Sequence, residues 1–273
     1  MSWVRGHFDL PATPDGTEMP QAAQLVATVA MAMLVAGFAV YAIREIARRR
    51  SVTLALLLVG GAISYFNEPI DDVLGLVWHP VVGQWTALDT FSRVPLWGLG
   101  IYIVFFGGMP YLILQNLLRG MTRWQLWGWV GVLAVVDVAV ELPILASGIY
   151  SYYGDAPLQI GGFPVYWIVI NTVGPLALAV LLLAAGDTFT GWRAVYLLFL
   201  PMVCDAAGSV AVGWPIFSAL NAQASAPVRW LAAALTITIG LAALDLLIAY
   251  AARTSAALGR TKTVGAAGMG IAS

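Results

Sequence analysis

The chain has 273 residues, of which 60% are hydrophobic and only 10% are charged. This composition is typical of polytopic membrane proteins and lies outside the range of soluble domains. The net charge of −1 excludes nucleic-acid binding through a basic surface. A single cysteine, Cys204, excludes a disulfide within the chain, and two histidines are too few for a histidine-rich di-iron site.

Apolar segments long enough to cross a hydrocarbon core of about 30 Å occur seven times. The predicted spans are residues 23–45, 52–72, 94–118, 125–147, 163–185, 193–214 and 228–251. We therefore expect an all-α integral membrane protein, a bundle of seven transmembrane helices over 23–252, with an N-terminal segment over 1–22 and a flexible tail over 253–273. Because Pro69 interrupts the second span, residues 70–80 either continue that helix or form a re-entrant or interfacial piece.

The positions of the basic residues predict the orientation of the bundle. Ten of the 13 lysines and arginines fall in the loops and tail of one side, and Arg5, Arg93 and Arg229 fall on the other. The positive-inside rule then places the N-terminus outside and the C-terminus in the cytoplasm, in a membrane that we expect to be a bacterial plasma membrane. The outer connections carry many aromatic residues, which is typical of an interface belt or of a lid over a cavity; these connections are 73–93, 148–162 and 215–227.

Carboxylates inside the predicted spans are the most informative feature of the sequence. A charged side chain at the bilayer centre costs about 2.5–3.5 kcal/mol on insertion scales, so each intramembrane acid is a functional-site hypothesis. The acids are Glu68, Asp71, Asp72, Asp137, Glu141, Asp205 and Asp245. Asp137 and Glu141 are four residues apart and share one helix face. The predicted topology directs the acids of helices 2, 4 and 6 toward one cavity in the outer half of the membrane.

Each acid also has a structural alternative. Asp71 and Asp72 can be solvated or capping groups at the interface, and Asp137 can hydrogen-bond a neighbouring helix as part of the packing. Asp245 lies toward the cytoplasmic end of helix 7, where it can pair with a cytoplasmic arginine.

Clustered acids in a dry, aromatic cavity favour acid-initiated chemistry on a neutral, lipid-soluble substrate. A buried carboxyl keeps its proton at neutral pH and can protonate an alkene or epoxide, and aromatic faces stabilise the resulting carbocation. Under this hypothesis Glu68 donates the proton, Glu141 or Asp205 is its partner, and Asp137 orients Glu141. The remaining candidate catalytic acids are Asp72 and Asp245. The candidate substrate-binding aromatics are Tyr65, Trp97, Tyr102, Tyr150 and Trp167. This chemistry needs neither a metal nor another cofactor.

Several other functions remain open. The acids near the end of helix 2 resemble motifs that hold Mg²⁺ against a prenyl diphosphate, but only Arg93 and Arg229 are at hand to bind the phosphates, and prenyl diphosphates are cytosolic. A proton- or cation-coupled transporter would use membrane acids as a relay, although the chain shows no internal repeat. Another membrane-embedded lipid enzyme and a lipid-binding sensor or scaffold are further alternatives. A retinal protein is excluded, because the only lysine is Lys262 in the tail.

The region from Glu141 to Asn171 contains a glutamate, the motif G-I-Y-S-Y over 148–152 and the motif G-F-P over 162–164. This region resembles integral-membrane carotenoid hydratases and related carotenoid-biosynthesis proteins. In those proteins a glutamate precedes a G-x-Y-x-Y element, and a G-x-P segment opens the next helix. The matching residues here are Glu141, Gly148, Tyr150, Tyr152, Gly162, Pro164 and Trp167. The resemblance implies a lipid-soluble isoprenoid substrate and acid-initiated addition of water.

The overall plan resembles the small membrane-bound terpene cyclases of fungal meroterpenoid and indole-diterpene pathways. Those are seven-helix proteins with a catalytic glutamate on helix 2 and an aspartate on helix 7. Glu68 corresponds to the glutamate, and Asp245 is the candidate for the aspartate, although the predicted topology places these two toward opposite faces of the membrane. Both resemblances imply protonation of an isoprenoid double bond; they differ in whether water or a second alkene quenches the cation.

Overall fold

The computed structural model describes residues 11–14, 16–90 and 92–268, with side chains as far as Ala257. Within these residues the chain forms seven helices that are long and apolar enough to cross a membrane, which confirms the predicted all-α class. They are Gln21–Arg49 (α1), Thr53–Gly75 (α2), Leu96–Leu117 (α3), Arg123–Ser147 (α4), Trp167–Thr188 (α5), Gly191–Asn221 (α6) and Ala226–Ala257 (α7). The seven helices indicate an integral membrane protein.

The proline in α2 does not break the span. The α-helix Thr53–Ser64 tightens into a 3₁₀ turn at Tyr65–Asn67 and resumes as the α-helix Glu68–Gly75. Pro69 therefore lies in the first turn of the resumed helix, where its missing N–H leaves no hydrogen bond unmade. The segment after Pro69 thus continues the helix as far as Gly75, and Leu76 ends it in the left-handed conformation, with φ of 55°.

Three other spans also combine different helix types. In α3, a π-helical segment, Ile103–Gly108, separates the α-helices Leu96–Tyr102 and Met109–Leu117. In α5, the α-helix Trp167–Ala185 ends in a 3₁₀ turn at Gly186–Thr188, and α6 begins as the 3₁₀ helix Gly191–Leu198 before the α-helix Leu200–Asn221. Single π segments inside α-helices often lie at functional sites.

The ends of three helices differ from the sequence prediction. Helix α5 begins at Trp167, later than expected, because Phe163–Pro164 pairs as a strand instead. Helix α6 passes through Pro215 and continues to Asn221. Helix α7 belongs to a helix that runs from Ala226 to Gly268, so the predicted tail is helical that far. Residues 269–273, like residues 1–10 of the predicted N-terminal segment, lie outside the described residues.

Two loops, residues 76–95 and 148–166, fold over one end of the bundle and are called the cap. They contain the short strands Val77–Trp78 (β1), Thr86–Asp89 (β2), Arg93–Pro95 (β3), Ser151–Tyr152 (β4), Gln159–Ile160 (β5) and Phe163–Pro164 (β6). Antiparallel pairing of β1 with β4 joins the two loops, whereas β2–β3 and β5–β6 pair within one loop each. The chain before α1 joins the same end, since Met19 N donates to Val82 O at 2.8 Å.

Helix α5 is the central helix, because most of its side chains are buried against α6, α7 and α3. Its backbone approaches α6 closely: a Cβ added to Gly208 would lie 2.8 Å from Gly174 N. Helices α1 and α4 expose large apolar side chains along much of their length, as lipid-facing helices do. The polar groups described next therefore lie on the inner faces of a bundle with an apolar exterior.

Candidate functional site

A cavity lies beneath the cap, and its lining residues come from α1 to α6 and from the cap itself. The space between its atoms amounts to about 1100 Å³, including the part that opens to the surroundings. Six of the seven membrane acids line it: Glu68, Asp71, Asp72, Asp137, Glu141 and Asp205. The predicted convergence of helices 2, 4 and 6 on one cavity is confirmed.

Glu68 and Asp72, one helical turn apart on α2, both approach His79 of the cap. His79 Nε2 lies 3.4 Å from Asp72 Oδ1 and 3.7 Å from Glu68 Oε1, distances of ion pairs and not of well-aligned hydrogen bonds. The second oxygen of each carboxylate accepts a hydrogen bond from a different side chain. Tyr102 OH donates to Glu68 Oε2 at 2.7 Å, and Ser92 Oγ donates to Asp72 Oδ2 at 2.9 Å. These donors fix both carboxylates, so that their other oxygens face His79.

His79 is a functional candidate that the sequence analysis missed. Its side chain is 2% exposed and its ring packs against Trp97 and Tyr150, with centroid distances of 5.8 and 5.6 Å. Burial lowers the pKa of His79, but Asp72 and Glu68 raise it more, to about 10. The imidazole therefore carries a positive charge at neutral pH, inside a cavity lined by acids.

The same three side chains can hold a metal ion. Glu68, Asp72 and His79 each offer one ligand atom, and these atoms lie within 4.8 Å of one another. Mixed carboxylate and imidazole ligands suit divalent cations such as Mn²⁺, Fe²⁺ or Zn²⁺. The hydrogen bonds from Tyr102 and Ser92 are of the kind that orients ligands in metal sites.

The acids of α2 and α6 that lie deeper in the bundle are also buried. Asp205 is 2% exposed and accepts a hydrogen bond from Asn67 Nδ2 at 2.7 Å. The same Asn67 nitrogen also donates to Met202 O at 2.9 Å. Asp71 and Asp72 are 6% and 2% exposed, so neither is the solvated interfacial group of the structural alternative.

Helix α4 supplies a second group of acids. Asn171 Nδ2 lies 3.1 and 3.3 Å from the two oxygens of Asp137, and the Tyr152 hydroxyl is hydrogen-bonded to Glu141. Burial and the nearby Glu141 carboxyl raise the pKa of Tyr152 well above its ordinary value, so that its hydroxyl stays protonated and donates. Glu141 Oε2 is buried and has no hydrogen-bond partner among the described residues. It is therefore an available acceptor on the cavity wall.

Four of the five predicted aromatic residues line the cavity: Trp97, Tyr102, Tyr150 and Trp167. Tyr65 does not, because its hydroxyl donates to Pro95 O at 2.6 Å and its ring packs behind Tyr102, with a centroid distance of 5.0 Å. The sequence analysis missed Phe105 and Phe106, which line the cavity from the π segment of α3. Their position depends on that local helix geometry.

Asp245 is not brought to the cavity. Its side chain is 45% exposed and forms an ion pair with Arg123 at the start of α4, at the end of the bundle away from the cap. This agrees with the structural alternative, in which Asp245 pairs with an arginine, and it removes the helix 7 acid from the site. The glutamate and the helix 7 aspartate of the cyclase resemblance are therefore not neighbours here.

Basic groups are scarce around the cavity. Among the lining residues that the structure describes, His79 is the only basic one. Arg93 pairs with Asp89 at 3.0 Å and Arg229 pairs with Asp155 at 3.1 Å, both outside the lining. The cavity therefore offers acids, aromatic faces and one histidinium, but no cluster of bases for a diphosphate.

Comparisons of the chain with protein-family models, with curated proteins and with solved structures found no match.

Proposed function

We propose that this protein is a membrane-embedded isoprenoid cyclase or hydratase, which protonates an alkene or epoxide of a lipid-soluble substrate. The observation that carries the proposal is the position of Glu68. Its carboxyl faces a cavity of aromatic and aliphatic side chains, and it contacts His79 and Tyr102 on its two oxygens. An apolar cavity with an oriented acid favours a neutral hydrocarbon substrate.

The first step uses Glu68 as a general acid. The π electrons of the substrate form a C–H bond with the Glu68 proton, or an epoxide oxygen takes that proton as its C–O bond breaks, and either step leaves a carbocation and a carboxylate. Asp72, whose oxygen lies 3.4 Å from His79 Nε2, balances the imidazolium while Glu68 holds its proton. Once that proton has left, the His79 charge and the Tyr102 hydroxyl, which donates at 2.7 Å, stabilise the Glu68 carboxylate. General acids of this kind contribute about 10²–10⁴-fold to a rate.

The carbocation then meets aromatic faces. Tyr102 and Phe106 pack at a centroid distance of 4.8 Å, and Phe105 and Phe106 at 5.4 Å, along one side of the cavity. Ring faces attract a cation without donating a lone pair to it, so they stabilise the charge and leave it reactive. These rings support migration of the charge along the substrate away from Glu68.

The acids of α4 complete the reaction. The unpartnered Glu141 Oε2 accepts a proton either from carbon beside the cation, which forms a new alkene, or from a water that attacks the cation, which forms an alcohol. Asp137 lies one turn away on the same helix and is held by Asn171. The two acid groups thus suit the two proton transfers of a cyclase or hydratase.

A metal-dependent reaction is the second candidate, because Glu68, Asp72 and His79 form a ligand set. The scarcity of bases argues against a prenyl diphosphate as its substrate. A transport relay receives less support, since Asp245 is engaged by Arg123 outside the cavity and the other six candidate acids line the same cavity.

The test is an assay of membranes containing the protein, in deuterium oxide, with a panel of isoprenoid alkenes and epoxides. For an alkene, mass spectrometry should show a product with one deuterium on carbon, and also one added water for a hydratase. For an epoxide, the deuterium lies on an exchangeable hydroxyl, so the readout is the new product itself. Glu68→Gln should lower product formation at least about 100-fold. Glu45→Gln is the matched control, because Glu45 is also buried and accepts a 2.7 Å hydrogen bond from a tyrosine, Tyr111, away from the cavity.

Product formation by folded Glu68→Gln at the wild-type rate would contradict the proposal. A chelator distinguishes the metal-dependent reaction from direct protonation by Glu68. Unchanged activity in EDTA supports direct protonation, whereas loss in EDTA and recovery with Mn²⁺ or Mg²⁺ would assign Glu68, Asp72 and His79 to a metal.

A further inference from the structure

The wall of the cavity is open on one side. Most lining residues are buried or half-buried, but Leu34 of α1 is 48% exposed and Val136 of α4 is 38% exposed. A side chain that lines the cavity and also faces the exterior marks the edge of an opening. These two therefore border a gap between α1 and α4.

The gap exists because α1 and α4 pack against different helices. Just under the cap they belong to one apolar cluster, where Ala23 and Ala27 pack beside Ile144 and Leu145. Farther from the cap, α1 turns toward α3: Tyr41 stacks edge-on against Tyr111 at 5.9 Å.

Helix α4 instead packs against α5 and α7, where its Leu126 and Leu133 enter the main core. The two helices thus separate below the cap, and Val104 and Phe105 of α3 form the back of the opening.

The depth of the gap suits the hydrocarbon region. At 1.5 Å per residue, Leu34 lies about 20 Å along α1 from Gln21, and Val136 lies about 16 Å along α4 from Ser147. Both positions fall near the middle of spans that cross a core of about 30 Å. The opening therefore faces lipid chains and not water.

The chemistry of the gap matches that environment. Its edges and back are apolar: Met31, Leu34, Val104, Val136 and Val140. At the other end of the cavity, His79 and Tyr150 of the cap and Trp97 at the start of α3 are buried, at only 4%, 5% and 4% exposed. A route for hydrocarbon chains is thus open, whereas the route through the cap is filled.

We propose that the gap between α1 and α4 is the tail-binding subsite and the entrance for a lipid that enters from the bilayer. The reactive end of this lipid lies among the acids, and its hydrocarbon tail passes between Leu34 and Val136 into the membrane. The assignment of the reactive end rests on the proposed function. The substrate class is then a long-chain lipid of which only one end is enclosed.

The test uses a probe that needs no turnover. An isoprenoid hydrocarbon with a diazirine at one end is dissolved in vesicles containing the protein, irradiated, and mapped by mass spectrometry of the labelled peptides. In wild type we expect label on the cavity residues of α3, 101–106. Leu34→Trp and Val136→Trp should reduce it at least about tenfold, and Val136→Phe should reduce it less.

The neighbouring positions provide matched controls. Met33 and Val135 are 65% and 68% exposed and do not line the cavity, so Met33→Trp and Val135→Trp place the same bulk in lipid without filling the gap. Thermal unfolding of each purified variant confirms folding.

Three results would each overturn the proposed entrance. They are equal labelling of α3 in all folded variants, an equal loss of label in the control variants, and no label on α3 in wild type. Labelling that depends on the gap, together with no new product from any isoprenoid alkene or epoxide, would overturn the proposed function but not the proposed entrance.

Discussion

The His79 imidazole lies 3.4 Å from an oxygen of Asp72 and 3.7 Å from an oxygen of Glu68, and its ring packs against Trp97 and Tyr150. Among the described residues that line the cavity it is the only basic group, and it lies beside several acids. Its charge therefore affects both the stability of the fold and the acidity of the site.

We expect this interaction to make stability depend on pH. The pKa of His79 is about 10 in the folded protein, as burial lowers it less than Asp72 and Glu68 raise it, against about 6.5 when unfolded. Since the folded state holds the proton more tightly, the stabilisation is complete below pH about 6.5, falls as pH rises, and is lost above about 10.

The measurement is the thermal unfolding temperature of wild type and His79→Gln in detergent between pH 6 and 10. Wild type should lose more stability with rising pH than the variant does, and the two curves should converge at the alkaline end. Parallel curves across the range would show that His79 does not carry the charge in the folded state.

The sequence revealed the acids of the site more readily than their partners. A carboxylate in an apolar span is conspicuous because its insertion is costly, so Glu68, Asp137 and Asp205 were identified without any contact information. His79 was missed because it reaches Asp72 only through the fold of the cap. Tyr65 was assigned to the cavity on its sequence position alone, whereas the 3₁₀ turn directs it toward Pro95.

The junction of α2 and α3 positions Tyr102 and therefore Glu68. It depends on close backbone approach at two glycines: a Cβ on Gly107 would lie 2.6 Å from Leu57 O, and a Cβ on Gly61 would lie 2.8 Å from Tyr102 O. Backbone atoms cannot move aside as a flexible side chain can, so a methyl group at either position forces the helices apart.

Gly107→Ala should destabilise the protein by about 1–3 kcal/mol and reduce turnover, because it displaces α3 from α2. Gly131→Ala on α4 is the control, since a Cβ there meets nothing within 4 Å and alanine is the better helix former. Thermal unfolding of both variants checks this. Equal unfolding temperatures would show that the α2–α3 contact tolerates the added methyl group.

The number of spans followed from hydropathy, because each span must bury about 20 apolar residues in lipid. Hydropathy does not predict the elements that shape the cavity. The paired strands β1 and β4 are two residues long. Their partners lie far apart in the sequence: Val77 pairs with Tyr152, 75 positions later, and Trp78 pairs with Ser151, 73 positions later. The π segment of α3 likewise depends on tertiary contact, for which the sequence pattern contains no periodic signal.

The orientation of the bundle decides which substrates reach the cavity. The basic residues predict that the cap faces the outside, so the acids lie in the outer half of the membrane and away from cytosolic diphosphates. The two ends carry different groups. The end that bears the cap has aromatic side chains and two arginines, Arg93 and Arg229, each paired with an aspartate, whereas the opposite end has Arg48, Arg49, Arg119 and Arg123.

Single cysteines in a Cys204→Ser background test this prediction. Thr90 in the cap and Arg119 at the opposite end are both exposed. A membrane-impermeant maleimide should label Thr90→Cys in intact cells and Arg119→Cys only after lysis. Labelling in the reverse order would place the cap in the cytoplasm and contradict the predicted orientation. Only the scarcity of bases in the cavity would then disfavour a cytosolic diphosphate. The metal-dependent candidate would gain support, because Glu68, Asp72 and His79 would lie on the side where diphosphates are made.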